Sequence, residues 1–220
     1  MIFIKKAIKK IVFLLFFKQK IVVASTGRSG STLLFNAIVS GLIRKKFNVG
    51  DDGKLYFLLK KFVGDFAVRL SDINSSPVPV LKTHDLLDRK YENDAKFIFI
   101  YGEPLESALS VKIMTEKRGS RWFNDHLHHL NSSGEIKDLF QKDILNYENQ
   151  IKSWAKGSPE HVLTVNYDDL WKCQKKISSF LGFDVEFPEK LPRVSKDIPK
   201  NINNELFEHL RHVMSELSNR

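Results

Sequence analysis

A three-layer α/β/α fold around a central, mainly parallel sheet is predicted by three features of this 220-residue chain. Short runs rich in β-branched and aromatic residues, at 21–25, 78–82, 97–101 and 162–166, read as strands. Stretches with helical spacing of apolar residues separate them. The first run breaks into a glycine turn that leads directly into a helix pattern. Apolar residues make up 42% and charged residues 28%, as in globular proteins, and the length suits one domain, 1–220, with a substantial core. Ligands of such sheets sit past the carboxyl ends of the strands.

Residues 1–19 form a basic, apolar segment. The first 50 residues hold ten Lys or Arg and no Asp or Glu, so a net charge of +9 overall leaves the remaining 170 residues at −1 (25 − 26). The uninterrupted apolar run, Ile11–Phe17, is seven residues. A spanning helix needs about 20, and no small-residue cleavage site follows. Two readings stand: a helix on the sheet edge with its lysines in water, or a basic amphipathic helix giving peripheral membrane contact through residues 1–20. No nucleic-acid recognition motif accompanies the charge.

The segment Lys20–Leu34, KIVVASTGRSGSTLL, carries the strongest signal. A strand, a turn with Gly27 and Gly30, then a helix starting near Ser31 and Thr32 is the arrangement that points free backbone N–H groups at an anion. Arg28 adds a guanidinium with several donors. This reads as a phosphate or sulfate cradle. It is not the ATP or GTP loop G-x-x-x-x-G-K-[ST]: Ser31 stands where the lysine belongs and Ser25 where the first glycine belongs.

Farther along, VPVLKTHDLL (78–87) ends a strand in Lys82-Thr83-His84. AKFIFIYGEPLESALSV (95–111) is a strand followed by a helix opened by Pro104. Residues 115–135, with Gly119, Gly134 and His126-Leu127-His128-His129, read as a lid or substrate loop with solvated histidines. EHVLTVNYDDLWKCQKKISSFLGFDV (160–185) reads as strand, turn and helix, with Gly182 as its C-terminal cap and Asp168 or Asp169 as an N-cap. The last helix, near Asn204–Leu217, has Leu206, Leu210, Val213, Met214 and Leu217 on one stripe, with His209 and His212 in solvent. The lone Cys173 allows no internal disulfide and fits a cytoplasmic setting.

Four of these segments, in this order across residues 20–187, resemble the sulfotransferases that use 3′-phosphoadenosine 5′-phosphosulfate (PAPS). The resemblance implies that the loop Thr26, Gly27, Arg28, Ser29, Gly30, Ser31 and Thr32 holds the 5′-phosphosulfate, with Leu33 where an aromatic often stacks on adenine. It implies that His84 is the general base, that Lys82 lies near the transferring sulfonate, and that Arg28 steadies the leaving phosphate. It places Ser110 on the 3′-phosphate and Tyr167 near the adenine. The family's partner arginine for the 3′-phosphate is replaced here by Gly102, and Lys112, Arg118 and Arg121 are the nearest cations in sequence. Residues 188–220 have no close counterpart, although the basic stretch 190–200 suits the same phosphate. The resemblance implies a nucleotide donor, a hydroxylated small-molecule or glycan acceptor, and no metal.

Overall fold

The computed structural model describes residues 19–66, 68–191, 199 and 201–218. The basic segment 1–18 and most of the stretch 190–200 lie outside them. A five-stranded, all-parallel sheet forms the middle layer. Its strands are β1 (Lys20–Ser25), β2 (Gly64–Asp65), β3 (Val80–Thr83), β4 (Ala95–Tyr101) and β5 (Val162–Asn166), in the order β2-β3-β1-β4-β5. Four of them are the strands expected. The two-residue β2 is too short to show any periodicity.

Alternation along the strands divides the core in two. Ile21, Val23, Val80, Ile98, Ile100, Leu163 and Val165 face helices α1 (Ser31–Phe47), α2 (Lys54–Val63) and α6 (Gln174–Leu181). Val22, Ala24, Leu81, Phe97, Phe99 and Tyr101 face α3 (Pro104–Arg118), α4 (Ser120–His129), α5 (Tyr147–Trp154) and α7 (Asn204–Ser218). The sheet is therefore covered on both faces, as parallel sheets require. Pro104 opens α3 and Gly182, at φ 76°, ends α6, both as expected.

Register decides what meets at the strand ends. Ala24 pairs with Thr83, Ser25 with Ile100, and Tyr101 with Asn166. The residues that follow β1, β3, β4 and β5 therefore emerge side by side. Moreover, β1 runs between β3 and β4, so the chain leaves it toward both halves of the sheet, the position at which such folds open a crevice.

Two expectations are corrected. Residues 115–135 are not an open loop: α3 continues to Arg118, Gly119 (φ 82°) breaks the chain, and α4 begins at Ser120. Phe123, His126 and Leu127 recur at helical spacing, pack inward, and bury His126, while His128 and His129 stay exposed. Neither Asp168 nor Asp169 caps a helix. Asn166 does, accepting from the Asp168 N–H at 2.9 Å, because the turn after β5 opens two residues before Asp168. Of the expected α7 stripe, Leu210, Val213 and Leu217 are buried, Leu206 and Met214 are partly buried, and Phe207 joins them in the core. His209 is exposed but pairs with Glu148 at 3.1 Å.

Trp154 joins core and site. It is fully buried, stacks on Phe99 at 5.3 Å between ring centroids, and donates from Nε1 to the Asp85 carbonyl at 3.2 Å. Trp154→Ala is expected to cost about 3–5 kcal/mol of stability, the range for truncating a buried large aromatic, read as a lowered midpoint in urea denaturation. A loss under 1 kcal/mol would show that this packing is dispensable.

Candidate active site

The loop between β1 and α1 turns through three left-handed residues, Gly27 (φ 77°), Arg28 (φ 53°) and Gly30 (φ 82°). For arginine this backbone is a strained choice, of the kind that collects at functional sites. Gly30 is required on two counts. Its φ disfavours any side chain, and a Cβ there would overlap the Tyr167 ring. Tyr167, the residue after β5, therefore packs its ring against the loop. Ser29 fixes the loop to the sheet by donating to the Ile100 carbonyl at 3.0 Å.

His84 follows β3 beside the end of β1. Its Nδ1 is 3.0 Å from the Ser25 carbonyl oxygen and 3.0 Å from Ser25 Oγ. A carbonyl only accepts, so Nδ1 carries the proton and the neutral ring keeps its lone pair on Nε2. The backbone here is fastened from several sides. Gln150 donates to the His84 carbonyl. The Asp85 carboxylate accepts from Arg69 and the Leu70 N–H, each at 2.7 Å, and from Asn131 at 3.1 Å. Lys82 reaches the start of α1, with Nζ 3.0 Å from Thr32 Oγ1, and lies 5.8 Å from the Phe66 ring centroid.

These groups line a cavity of about 430 Å³, formed by Arg28, Gly30, Ser31, Thr32, Lys82, His84, Arg118, Trp122 and His126. A second cavity of about 170 Å³ shares Arg28 and Gly30 with it and adds Ser29, Gly102, Glu103, Glu106, Ser107, Ser110 and Tyr167. Arg28 runs along the boundary, donating from Nε to Ser110 Oγ at 3.0 Å. A larger depression, about 720 Å³, follows the later turns of α1. Its cations are engaged, Arg44 by Asp51 and Glu186 and Lys45 by the Gly182 carbonyl, and none of the strand-end residues reaches it.

The first cavity is positive. Among the described residues, Arg28, Lys82 and Arg118 make no ion pair. Burial pushes the Lys82 ammonium down to about 8, with Arg28 adding repulsion. Burial likewise lowers Arg28, helped by Arg118. Burial takes His84 down to about 4 against the Ser25 hydrogen bond, and Lys82 and His129 push the same way. Both features suit an anion: among the described residues its cations lack carboxylate partners, and its imidazole stays neutral.

Most of the residues singled out by sequence come together here. Arg28, Gly30, Ser31, Thr32, Lys82 and His84 line the first cavity, and Ser29, Ser110 and Tyr167 the second. Gly27 abuts α4. Besides Gly27, two do not reach a cavity. Thr26 is fully buried, and Leu33 packs against the core on the α1 side. Of the three cations near Gly102 in sequence, only Arg118 reaches a cavity, the first one; Lys112 pairs with Glu116 at 3.8 Å. Beside Gly102 stand Glu103 and Glu106 instead. Glu103 caps α3 and pairs with Arg211 at 2.8 Å. Sequence reading missed Arg118 as a cavity wall, and it missed Trp122 and His126. The signal for the latter two was the apolar spacing of Trp122, Phe123, His126, Leu127 and Leu130.

No protein-family model matches the sequence, and no characterised protein matches it by sequence. Solved structures are similar. Mouse sulfotransferase SULT7A1 complexed with PAP aligns at 17% identity over 92% of this chain and 67% of its own, with a TM-score of 0.49. A sulfotransferase from Alicyclobacillus acidocaldarius aligns at 13% identity over 92% of this chain and 95% of its own, with a TM-score of 0.46. Retinol dehydratase in complex with androsterone and the inactive cofactor PAP aligns at 15% identity over 96% and 68%, with a TM-score of 0.46.

The contact between Gly30 and Tyr167 is testable. Gly30→Ala is expected to cost about 1–2 kcal/mol for the left-handed backbone, plus the displacement of the ring. Combined with Tyr167→Ala, the loss should be smaller than the sum of the two single variants, because the overlap disappears. Strict additivity in urea denaturation would show that the ring does not rest on the loop.

Proposed function

We propose that this protein is a sulfotransferase that moves a sulfonyl group from PAPS to a hydroxyl or amine of an acceptor such as a hydroxylated small molecule or glycan. The observation that carries this reading is the cationic cavity at the strand ends, with a histidine whose free lone pair is on Nε2 beside it. The phosphosulfate end of the donor fits these residues: left-handed glycines, helix-start hydroxyls and unpaired cations suit an anion.

The bound donor supplies a sulfonyl group on a phosphate leaving group. His84 takes the acceptor's proton at Nε2 as the acceptor oxygen bonds to sulfur. Lys82 offsets charge on the sulfonyl oxygens. Arg28 and the loop amides hold the phosphate, which keeps the electron pair of the broken S–O bond. Catalysis in this scheme is positioning and charge stabilisation. Membrane contact through residues 1–20 stays an expectation of the basic segment. Among the described residues, no helix is long and apolar enough to cross a membrane.

A second reading, an altered donor, is favoured by Gly102, Glu103 and Glu106. Carboxylates beside Ser110 suit a ribose hydroxyl better than a 3′-phosphate, and the arginine that would pair that phosphate is missing. Calorimetry with 3′-phosphoadenosine 5′-phosphate (PAP) and with AMP separates the two. Clear preference for PAP supports PAPS as donor, and equal affinity supports a donor without the 3′-phosphate. Failure to bind either nucleotide overturns both readings. Arg28→Ala is expected to weaken the bound nucleotide by about 1.5–3 kcal/mol, the range for a hydrogen bond to a charged group.

The pH dependence of kcat/KM follows from the free protein. His84 must be neutral, so activity rises as pH climbs through about 4. Lys82 must be charged, so activity falls as pH climbs through about 8. A bell with limbs near those values is expected, and His84→Ala should lower turnover roughly 100-fold or more while sparing nucleotide affinity. An acid limb near 6.5, the ordinary histidine value, would mean that His84 is not buried as described or is not the base.

A further inference from the structure

His126 is a residue of this site that nothing above employs. It is 9% exposed, it lines the cavity, and among the described residues its Nε2 has no hydrogen-bond partner. Buried polar atoms without partners are uncommon and call for an explanation. The ring is held firmly. It stacks on Trp122 at 5.0 Å with 10° between planes, and it meets the His84 ring edge-on at 6.2 Å. Its Nε2 faces the turn between β1 and α1: a Cβ built on Gly27 would lie 3.3 Å from it. Gly27, at φ 77°, therefore leaves the loop bare at the point where the imidazole approaches.

The surroundings of His126 decide which partner it lacks. The charged and titratable groups acting on it are His84, Arg28, His129 and Lys82, from β3, the loop and α4, and none is an acid. Burial first, and these neighbours next, hold the ring neutral, with its pKa at about 3. A neutral imidazole has one N–H to donate; the Ser31 and Thr32 hydroxyls line the same cavity, but Nε2 bonds to neither. An anionic oxygen resting on the loop would accept it.

We propose that His126 donates its Nε2–H to an oxygen of the sulfonyl group being transferred, as a neutral donor built against the loop. The inference rests on the sulfotransferase reading and adds to it a contact that is present with the sulfonylated donor and absent with the desulfated product. Stabilisation by a neutral, pre-placed imidazole has the advantage that no proton has to be acquired in a positive site. His84 keeps the separate task of accepting the acceptor's proton. The two histidines thus divide along the reaction, one on the nucleophile and one on the group transferred.

Comparing PAPS with PAP by calorimetry, without any acceptor, tests this directly. His126→Phe keeps the ring and its stack on Trp122 but removes the N–H. His126→Gln reaches to the level of Nε2 with an amide N–H, whereas His126→Asn stops short of it. The expected result is that PAP affinity is close to wild type in all three. PAPS affinity should fall about tenfold or more in the Phe and Asn variants and be largely retained in the Gln variant. Should the Phe variant not fold, the Gln and Asn pair gives the same comparison. An unchanged ratio of PAPS to PAP affinity in the Phe and Asn variants, or equal losses in Gln and Asn, overturns the role of His126 and leaves the sulfotransferase reading standing. A wild-type protein that binds neither nucleotide overturns that reading, and this inference with it.

Discussion

Positive charge held without a carboxylate partner is the constraint around which this protein is arranged. Arg28, Lys82 and Arg118 converge on one cavity, and among the described residues none of them forms an ion pair. Like charges brought together in a partly desolvated place raise the free energy of the folded state. The effect is visible in Lys82, whose pKa falls to about 8. A fold tolerates such a cluster when the rest of the structure holds it in place, and it is the ordinary sign of a site that awaits an anion. The neutral histidines belong to the same account. In a cavity already positive, His84 and His126 stay uncharged, so one can accept a proton and the other can donate a hydrogen bond.

The holding is done by the sheet and by a knot of hydrogen bonds just beyond β3. Parallel strands in register bring four chain segments out at one level, and this alone aligns Arg28, His84, Gly102 and Tyr167. Closer placement falls to Asp85. Its carboxylate gathers the Arg69 guanidinium, the Leu70 N–H and the Asn131 amide, while its carbonyl receives the Trp154 indole. Gln150 takes the neighbouring carbonyl of His84. The residue proposed as base is thus fixed by its successor in the chain. That successor is tied to α5 and, through Asn131, to the turn that follows α4, the helix carrying His126. The same network therefore orients both histidines.

The two cavities differ in charge although they share Arg28. On one side stand three cations. On the other, Arg28 shares the cavity with Glu103 and Glu106 and donates to Ser110, and Gly102 stands where a cation would otherwise lie. Glu103 is already committed to the start of α3 and to Arg211. This asymmetry would give the proposed nucleotide two unlike ends to satisfy, and it would make the choice of donor a property of the α3 start rather than of the loop.

The four main strands, the glycine turn, the start of α3 at Pro104 and the end of α6 at Gly182 could be read from the sequence. Each is set by local chemistry: β-branched runs, residues with special backbone freedom, and periodicity over a single element. Arg28 was legible in the chemistry of the glycine turn, whereas Lys82, His84, Ser110 and Tyr167 were singled out through the family resemblance; Lys82 lies in β3, His84 and Tyr167 directly follow strands, and Ser110 lies within α3. His126, Trp122 and Arg118 were not legible. They belong to helices that cross the strand ends, and which face of α4 turns inward depends on the packing of Phe123 and Leu127 against the distant Phe99 side of the sheet. The depressed pKa values, the proton on His84 Nδ1 and the carboxylates beside Gly102 arise only from groups far apart in the chain. Sequence determined which chemistry this protein carries at the ends of its strands; tertiary structure decided the charge of the surroundings, because burial and the approach of unlike segments exist only once the layers have closed.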